Sequence, residues 1–395
     1  SATFCEGDSA ELSSSNTIGN QWFDDGGMIA GATLPDLWVY ESGNYYVSSA
    51  YGGDQNVLSC GNNGYGQFGD GTTNNSLLLS EADISSIMTE VACGAEFTLA
   101  LSETGEIYAW GHNEYGALGS GNYTNSDVPV QSGSINDAVK IAAGDRFSVA
   151  LLEDSTLMTW GENTYGQLGY GNLSTSNFPF AVAGLDSVID IAAGANHCLA
   201  LTADGTVWAW GRNQSGQLGD STLIQKTTPV QVKNLTNIVK VRAGANHSLA
   251  LDANGILYAW GNNANGQLGS GDYNGALVPK QVNMFYNIVS FDGGQGHTIA
   301  CDTNGYVIVW GNNSFGQLGI QSISESLYPV VVDSTGYVME VRAGQNSSYA
   351  LRNDSNLVAW GFNVSGQLGI ETNTNTDKAI ILDQIFNVLS FDAGN

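Results

Sequence analysis

The chain has 395 residues, with 51 Gly, 5 Cys and only 11 Lys plus Arg against 38 Asp plus Glu, a formal charge of −27. Such a surface repels phosphate backbones and anionic lipid, which argues against nucleic acid as a partner, and no run of about 18 apolar residues marks a membrane insertion. Abundant Gly, Asn, Ser and Thr beside Val, Ile, Tyr and Trp predict an all-β protein of short strands and tight turns. The acidity suits solubility in an extracellular or salty setting. A start at Ser1 reads as a processed product or a window of something longer, and no signal peptide lies within it.

The first 44 residues, with "FCEGDSAELSSSNTIGNQWFDDGGMIAGATLPDLWVYESGNYYV" from Phe4, recur nowhere else in the chain. They resemble the immunoglobulin-like modules of large secreted adhesins of Bacteroidota. Cys5 with Gly7-Asp8-Ser9, Trp22 in "QW", Gly31-Ala32-Thr33 and Ser42-Gly43 follow that module's order. A complete sandwich takes about 70–100 residues, so the segment 1–44 is expected as a partial module. The resemblance implies export by the type IX route, a bond between Cys5 and a closing cysteine at Cys60, and O-glycosylation at Ser9 and Ser187 in Asp-Ser-apolar triplets.

From residue 45 a period of 50 residues takes over. "CGNNGYGQFG" at 60 is followed by "WGHNEYGALG" at 110, "WGENTYGQLG" at 160, "WGRNQSGQLG" at 210, "WGNNANGQLG" at 260, "WGNNSFGQLG" at 310 and "WGFNVSGQLG" at 360. Ala50 to Ala350, Gly94 to Gly394 and Pro129 to Pro329 keep the same register. Within one unit, "IAAG" is a short apolar strand, "HCLAL" and "TVWAW" form a hairpin about "ADG", and "TTPVQV" is an edge strand. Four strands in each of seven units predict a seven-bladed β-propeller over 45–395. Trp110 and its equivalents are expected between neighbouring sheets, and the motif's glycines at backbone crossings.

These repeats resemble the regulator-of-chromosome-condensation family, whose members fold as seven-bladed propellers. The resemblance is specific for fold and weak for function, because the scaffold serves nucleotide exchange, chromatin docking, enzyme inhibition and surface attachment alike.

No catalytic constellation stands out. His197, His247 and His297 share one repeat column with Phe97, Phe147 and Ser347, so they read as strand residues of successive blades rather than metal ligands. No Ser-His-Asp order, paired carboxylates or cysteine cluster is apparent, and Cys93, Cys198 and Cys301 read as buried small hydrophobes. No cofactor is expected. "GDGTTNN" (69 to 75) and "GSGDYNGA" (269 to 276) carry Asp and Asn without a calcium-loop pattern and leave room only for incidental calcium. The Asn-x-Ser/Thr triplets at Asn213, Asn312 and Asn363 belong to the structural motif.

The rim loops vary most, and Tyr123, Tyr170, Phe178 and Phe180 are the candidate partner contacts. The chain therefore reads as a non-enzymatic extracellular module of a bacterial surface adhesin or filament, binding a protein, a glycan or its neighbouring modules. The alternative is an inhibitor resembling the β-lactamase-blocking propellers, disfavoured because the aromatic loop residues gather in no one column. Nucleotide exchange or chromatin binding ranks last.

The stretch 42–63 is a seam. Ala50, Val57 and Cys60 fall into propeller columns, so the hairpin from Tyr45 to Cys60 is assigned to blade one. Residues 388–394 are expected to pair beside 46–51 and close the ring. Cys60 keeps two readings, a buried thiol in the Trp column or a half-cystine with Cys5.

Overall fold

The computed structural model describes residues 57–394, apart from 285–286, 322, 333–334, 383–384 and 386–387, together with the backbone of five short strands before residue 57. Six four-stranded antiparallel sheets follow one another between Met88 and Leu382, each built from four consecutive strands in order. A seventh, blade one, contributes the pair Leu58–Gly61 and Ser76–Glu81. Blades two to seven are counted along the chain from Met88.

Residue pattern dictates position within a blade. His197–Thr202 is buried along its whole length, because the second strand of a blade is covered on both faces by neighbouring sheets. Lys226–Gln231, the outermost strand, alternates towards solvent and carries Pro229, whose missing N–H does no harm on an edge. The second strand turns into the third, Val207–Gly211, at "ADG": the Gly205 amide donates to Thr202 O at 2.9 Å, and Asp204 Oδ1 accepts the Thr206 amide at 3.0 Å.

The tryptophan column joins blade to blade. Each indole from Trp110 to Trp360 is fully buried, and its Nε1–H donates to the carbonyl 43 residues earlier, at Gln67, Ala117, Gln167, Gln217, Gln267 and Gln317, at 2.7–2.9 Å. The second glycine of each motif lies against that ring. A Cβ on Gly119, at φ +67°, would stand 2.8 Å from Trp160 Nε1.

Ring closure follows the expectation at one end only. Residues 390–394 take the innermost place in blade one: Asp392 Oδ2 accepts the Cys93 amide at 2.8 Å, as Asp292 Oδ2 accepts that of Ala343 at 3.0 Å between blades six and seven. The expected partner differs. Tyr46–Ser49 pairs with Asn20–Phe23 in a three-stranded sheet with Gly27–Met28, and among the described residues no ladder joins it to 388–394. Ala10–Ser13 pairs with Asp36–Val39 in a separate ribbon. Residues 50–56, the rest of the predicted hairpin, lie outside the described residues, as do Cys5 and Ser9.

Cys60 is half-buried, and Cys5, its partner in the other reading, lies outside the described residues. Cys60 is free, burial pushes its pKa up to about 12, and its Sγ donates to Gln367 O at 3.5 Å. That carbonyl is the one a tryptophan at position 60 would meet once the ring is closed, so the seam repeats the Trp contact with a smaller side chain. Tyr349 supplies the missing bulk. It stands where the other blades have Leu99, Val149, Leu199, Leu249 and Ile299, and its hydroxyl donates to the same Gln367 carbonyl at 2.9 Å. Burial raises its pKa above the ordinary tyrosine value, so it stays a donor.

Candidate interaction surfaces

The loops after each Trp-Gly gather on one face of the ring, together with the turns that follow the innermost strands. The motif asparagine holds each loop rigid. In blade four, buried Asn213 accepts the Leu218 amide at Oδ1 (3.0 Å) and donates from Nδ2 to Thr222 O (3.0 Å) and Ile224 O (3.2 Å). Asn363 repeats the arrangement, so these two asparagines are structural rather than glycan acceptors. Side chains on this face thus project from a fixed frame.

The residue just before the first glycine of each Gly-Gln-Leu-Gly motif lies at a blade junction on that face. It is Tyr65, Tyr115, Tyr165, Ser215, Asn265, Phe315 and Ser365 in turn. Four of the seven are aromatic, and each packs on a side chain of the next blade. Tyr65 stacks on His112 with ring centroids 4.4 Å apart, Arg146 lies 4.8 Å over Tyr115, Arg212 lies 5.1 Å over Tyr165, and Phe315 meets Phe362 edge to face at 5.0 Å. His112 is flanked in turn by Glu96 at 3.3 Å and Glu114 at 3.6 Å. The aromatic junctions are those of blades one to four and of blades six and seven, with Ser365 at the junction between seven and one. Blades five and six meet there instead through an amide pair, Asn312 to Asn265 at 3.3 Å.

This arc corrects the expectation that aromatic residues gather in no one column. The signal lies inside the repeat motif, at one of the three positions whose residue type changes from copy to copy, in a stretch whose constant residues are scaffold. The residues singled out by sequence lie elsewhere. Tyr123 is exposed on an outer loop, while Tyr170 turns inward, its hydroxyl donating to Thr159 O of its own blade. Phe178 and Phe180 are exposed on the outermost strand of blade three rather than on a rim loop, Phe180 lying edge-on to Tyr170 at 5.9 Å. The structure does not bring these four together. Ser187 is exposed, in a turn, with φ +57°.

The innermost strands surround an axial channel with a cavity volume of about 110 Å³. Three of the chain's 11 cations line it, Lys140, Arg242 and Arg342, with Glu90, Asp292 and Asp392, and Asp190, Lys240 and Glu340 interact with these charges from beside it. These groups latch blades together. Asp190 forms an ion pair with Lys140, lies 3.7 Å from Arg242 and accepts the Val241 amide at 3.0 Å, while Glu340 holds Arg342 at 2.6 Å. Burial raises the pKa of Asp392 to about 6, and it also lowers that of Lys240 to about 8, aided by Arg242 and Arg342.

His197, His247 and His297 are fully buried strand residues, as expected. Each Nε2 meets a hydroxyl of the next blade, Ser248, Thr298 or Ser348, at 2.9–3.1 Å. Those hydroxyls already donate to Gln217, Gln267 and Gln317 carbonyls, so Nε2 carries the proton and the buried Nδ1 is a bare acceptor. Burial lowers the pKa to about 3, 3 and 4.

A closed ring of near-identical blades with a rigid, chemically varied loop face defines a propeller-type binding scaffold. The sequence profile of the RCC1-like domain matches residues 56–395, and the chain belongs to that family. Two structures of Prp20, the yeast RCC1, share its fold at 21% identity. The Saccharomyces cerevisiae Prp20p structure superposes with a TM-score of 0.78 over 87% of this chain and 91% of that one, and Prp20 bound to Kap60 with 0.76 over 84% of each. Human WBSCR16 is similar at 22% identity, with a TM-score of 0.76 over 86% of this chain and 96% of that one.

Proposed function

We propose that this chain is a non-enzymatic extracellular module that binds a protein partner through the aromatic arc of its loop face. The observation that carries the reading is the arc itself. Tyr65, Tyr115, Tyr165 and Phe315 occupy equivalent junctions, each already braced by a ring or cation of the next blade. Aromatic and arginine side chains held in place lose little freedom on binding and supply the anchors on which most interface energy rests. The charge of −27 supports a location outside the cell and disfavours DNA. Prp20p binds Gsp1p and histones; that belongs to Prp20p, and the arc residues support a protein partner here without choosing that one.

The test is affinity capture from the native secretome with the full chain, the Tyr65→Ala/Tyr115→Ala/Tyr165→Ala variant, and a Ser215→Ala/Asn265→Ala control on the same face. The expected result is a partner retained by the wild type and the control and lost by the triple variant. Equal capture by all three would overturn the reading. The arc also favours the second reading, an enzyme inhibitor, because clustered aromatics are what that role requires. Inhibition of a β-lactamase panel that disappears in the triple variant would select it.

A further inference from the structure

The face opposite the loops carries a second feature. One residue before the channel-lining position, at the start of each innermost strand, stand Val139, Ile189, Val239, Val289, Met339 and Leu389, each 41–64% exposed, with Thr89 completing the ring. An apolar annulus thus surrounds the channel mouth, flanked at blades six and seven by exposed Tyr306 and Tyr337. Contiguous apolar surface of this kind on an otherwise acidic protein marks a contact site.

The charges just inside the mouth are unevenly satisfied. Glu90 accepts the Ile141 amide at 3.2 Å, Asp190 serves Lys140, Arg242 and the Val241 amide, and Glu340 serves Arg342. Asp292 accepts the Gly293 and Ala343 amides, and Asp392 those of Cys93 and Ala393. Among the described residues no carboxylate comes within ion-pair distance of Lys240; Arg242 and Arg342 repel it, and Glu340 and Asp190 offset that repulsion only in part, from beyond contact. An anion beside Lys240 would relieve that repulsion without displacing an existing pair.

We infer that the channel mouth is a docking site for a protein loop that presents an Asp or Glu side chain between apolar shoulders, the carboxylate meeting Lys240 and the shoulders resting on Val239, Val289 and Met339. Charge complementarity selects this occupant. With 38 acids against 11 bases, most of the surface repels such a loop, so acceptance at the mouth and rejection elsewhere give specificity together.

The experiment uses a displayed library of constrained loops, selected on the full chain and counter-selected on the Val289→Asp/Met339→Asp variant, whose substitutions fall on exposed sites. The expected clones carry Asp or Glu flanked by apolar residues. They bind Lys240→Glu about tenfold or more weakly, bind Lys240→Arg nearly as well as wild type, and are indifferent to Tyr115→Ala on the other face. Failure to recover mouth-dependent clones, or clones that keep their affinity when the acid is changed to its amide, would overturn the proposal. Indifference to Tyr115→Ala also separates its fate from that of the loop-face reading.

Discussion

Six blade junctions and the seam solve the same packing problem differently. At the six, one indole fills the gap and its N–H reaches a carbonyl of the preceding blade. At the seam between blades seven and one the task is divided: Cys60 occupies the tryptophan position, and Tyr349 from the preceding blade supplies the ring and a second hydrogen bond to Gln367 O. What is conserved at every junction is a filled volume and a satisfied carbonyl, not a residue type. On the loop face the same junctions differ freely, aromatic over cation at some and amide on amide at another, so interior constancy frees the surface to vary.

The largest effect expected from breaking this comparison is at an ordinary junction. Trp260→Ala leaves a cavity and removes one of the two donors to the Gln217 carbonyl, Ser248 Oγ being the other, and should cost about 3–5 kcal/mol in urea unfolding. At the seam, Tyr349→Leu should cost about 2–3 kcal/mol, because it removes both ring volume and hydroxyl. Cys60→Trp alone should overpack against Tyr349 and cost about 1–3 kcal/mol, yet the double variant Cys60→Trp/Tyr349→Leu should recover most of both losses, a coupling of more than about 1 kcal/mol. Additive losses would show that the two residues do not replace a tryptophan.

The histidine column sharpens the comparison by pH. Because their folded pKa values lie near 3–4, below the ordinary value of about 6.5, these histidines stabilise the fold fully above pH about 6.5 and progressively less as pH falls towards 3–4. Asp392, raised to about 6, acts in the opposite sense, its contribution fading as pH rises from about 4 to 6. His247→Phe, the residue that Phe97 and Phe147 place in that column, should therefore move the acid-unfolding midpoint to lower pH by circular dichroism. The smallest effect is expected on the surface. Tyr115→Ala should change stability by no more than about 1 kcal/mol while abolishing partner capture.

The 50-residue register made the blades, the tryptophan column and the buried second strands legible, because each recurs with fixed spacing. The seam was half legible. Cys60 fell in the tryptophan column, but its compensation by Tyr349 depends on ring closure bringing distant residues together, and the column around Tyr349 shows only an unexplained large side chain. The channel charges were hidden for a related reason: Lys140, Asp190 and Arg242 each belong to a different blade, and their pairing exists only around the axis. The aromatic junctions are visible in the motif itself, yet a search for constancy passes over the positions that vary. The partner strand expected for 388–394 was misjudged, because register alone cannot decide between Tyr46–Ser49 joining blade one and pairing with Asn20–Phe23.

The central functional claim is that the aromatic junctions, rather than the loop face at large, meet the partner. Its most direct measurement is a photo-crosslinking scan with benzoylphenylalanine placed in turn at positions 65, 115, 165, 215, 265, 315 and 365 of the full chain, exposed to the native secretome. The account predicts a crosslinked partner from 65, 115, 165 and 315 and none from 215 or 265. Equal yield at all seven positions, or a maximum at 215 and 265, would contradict it.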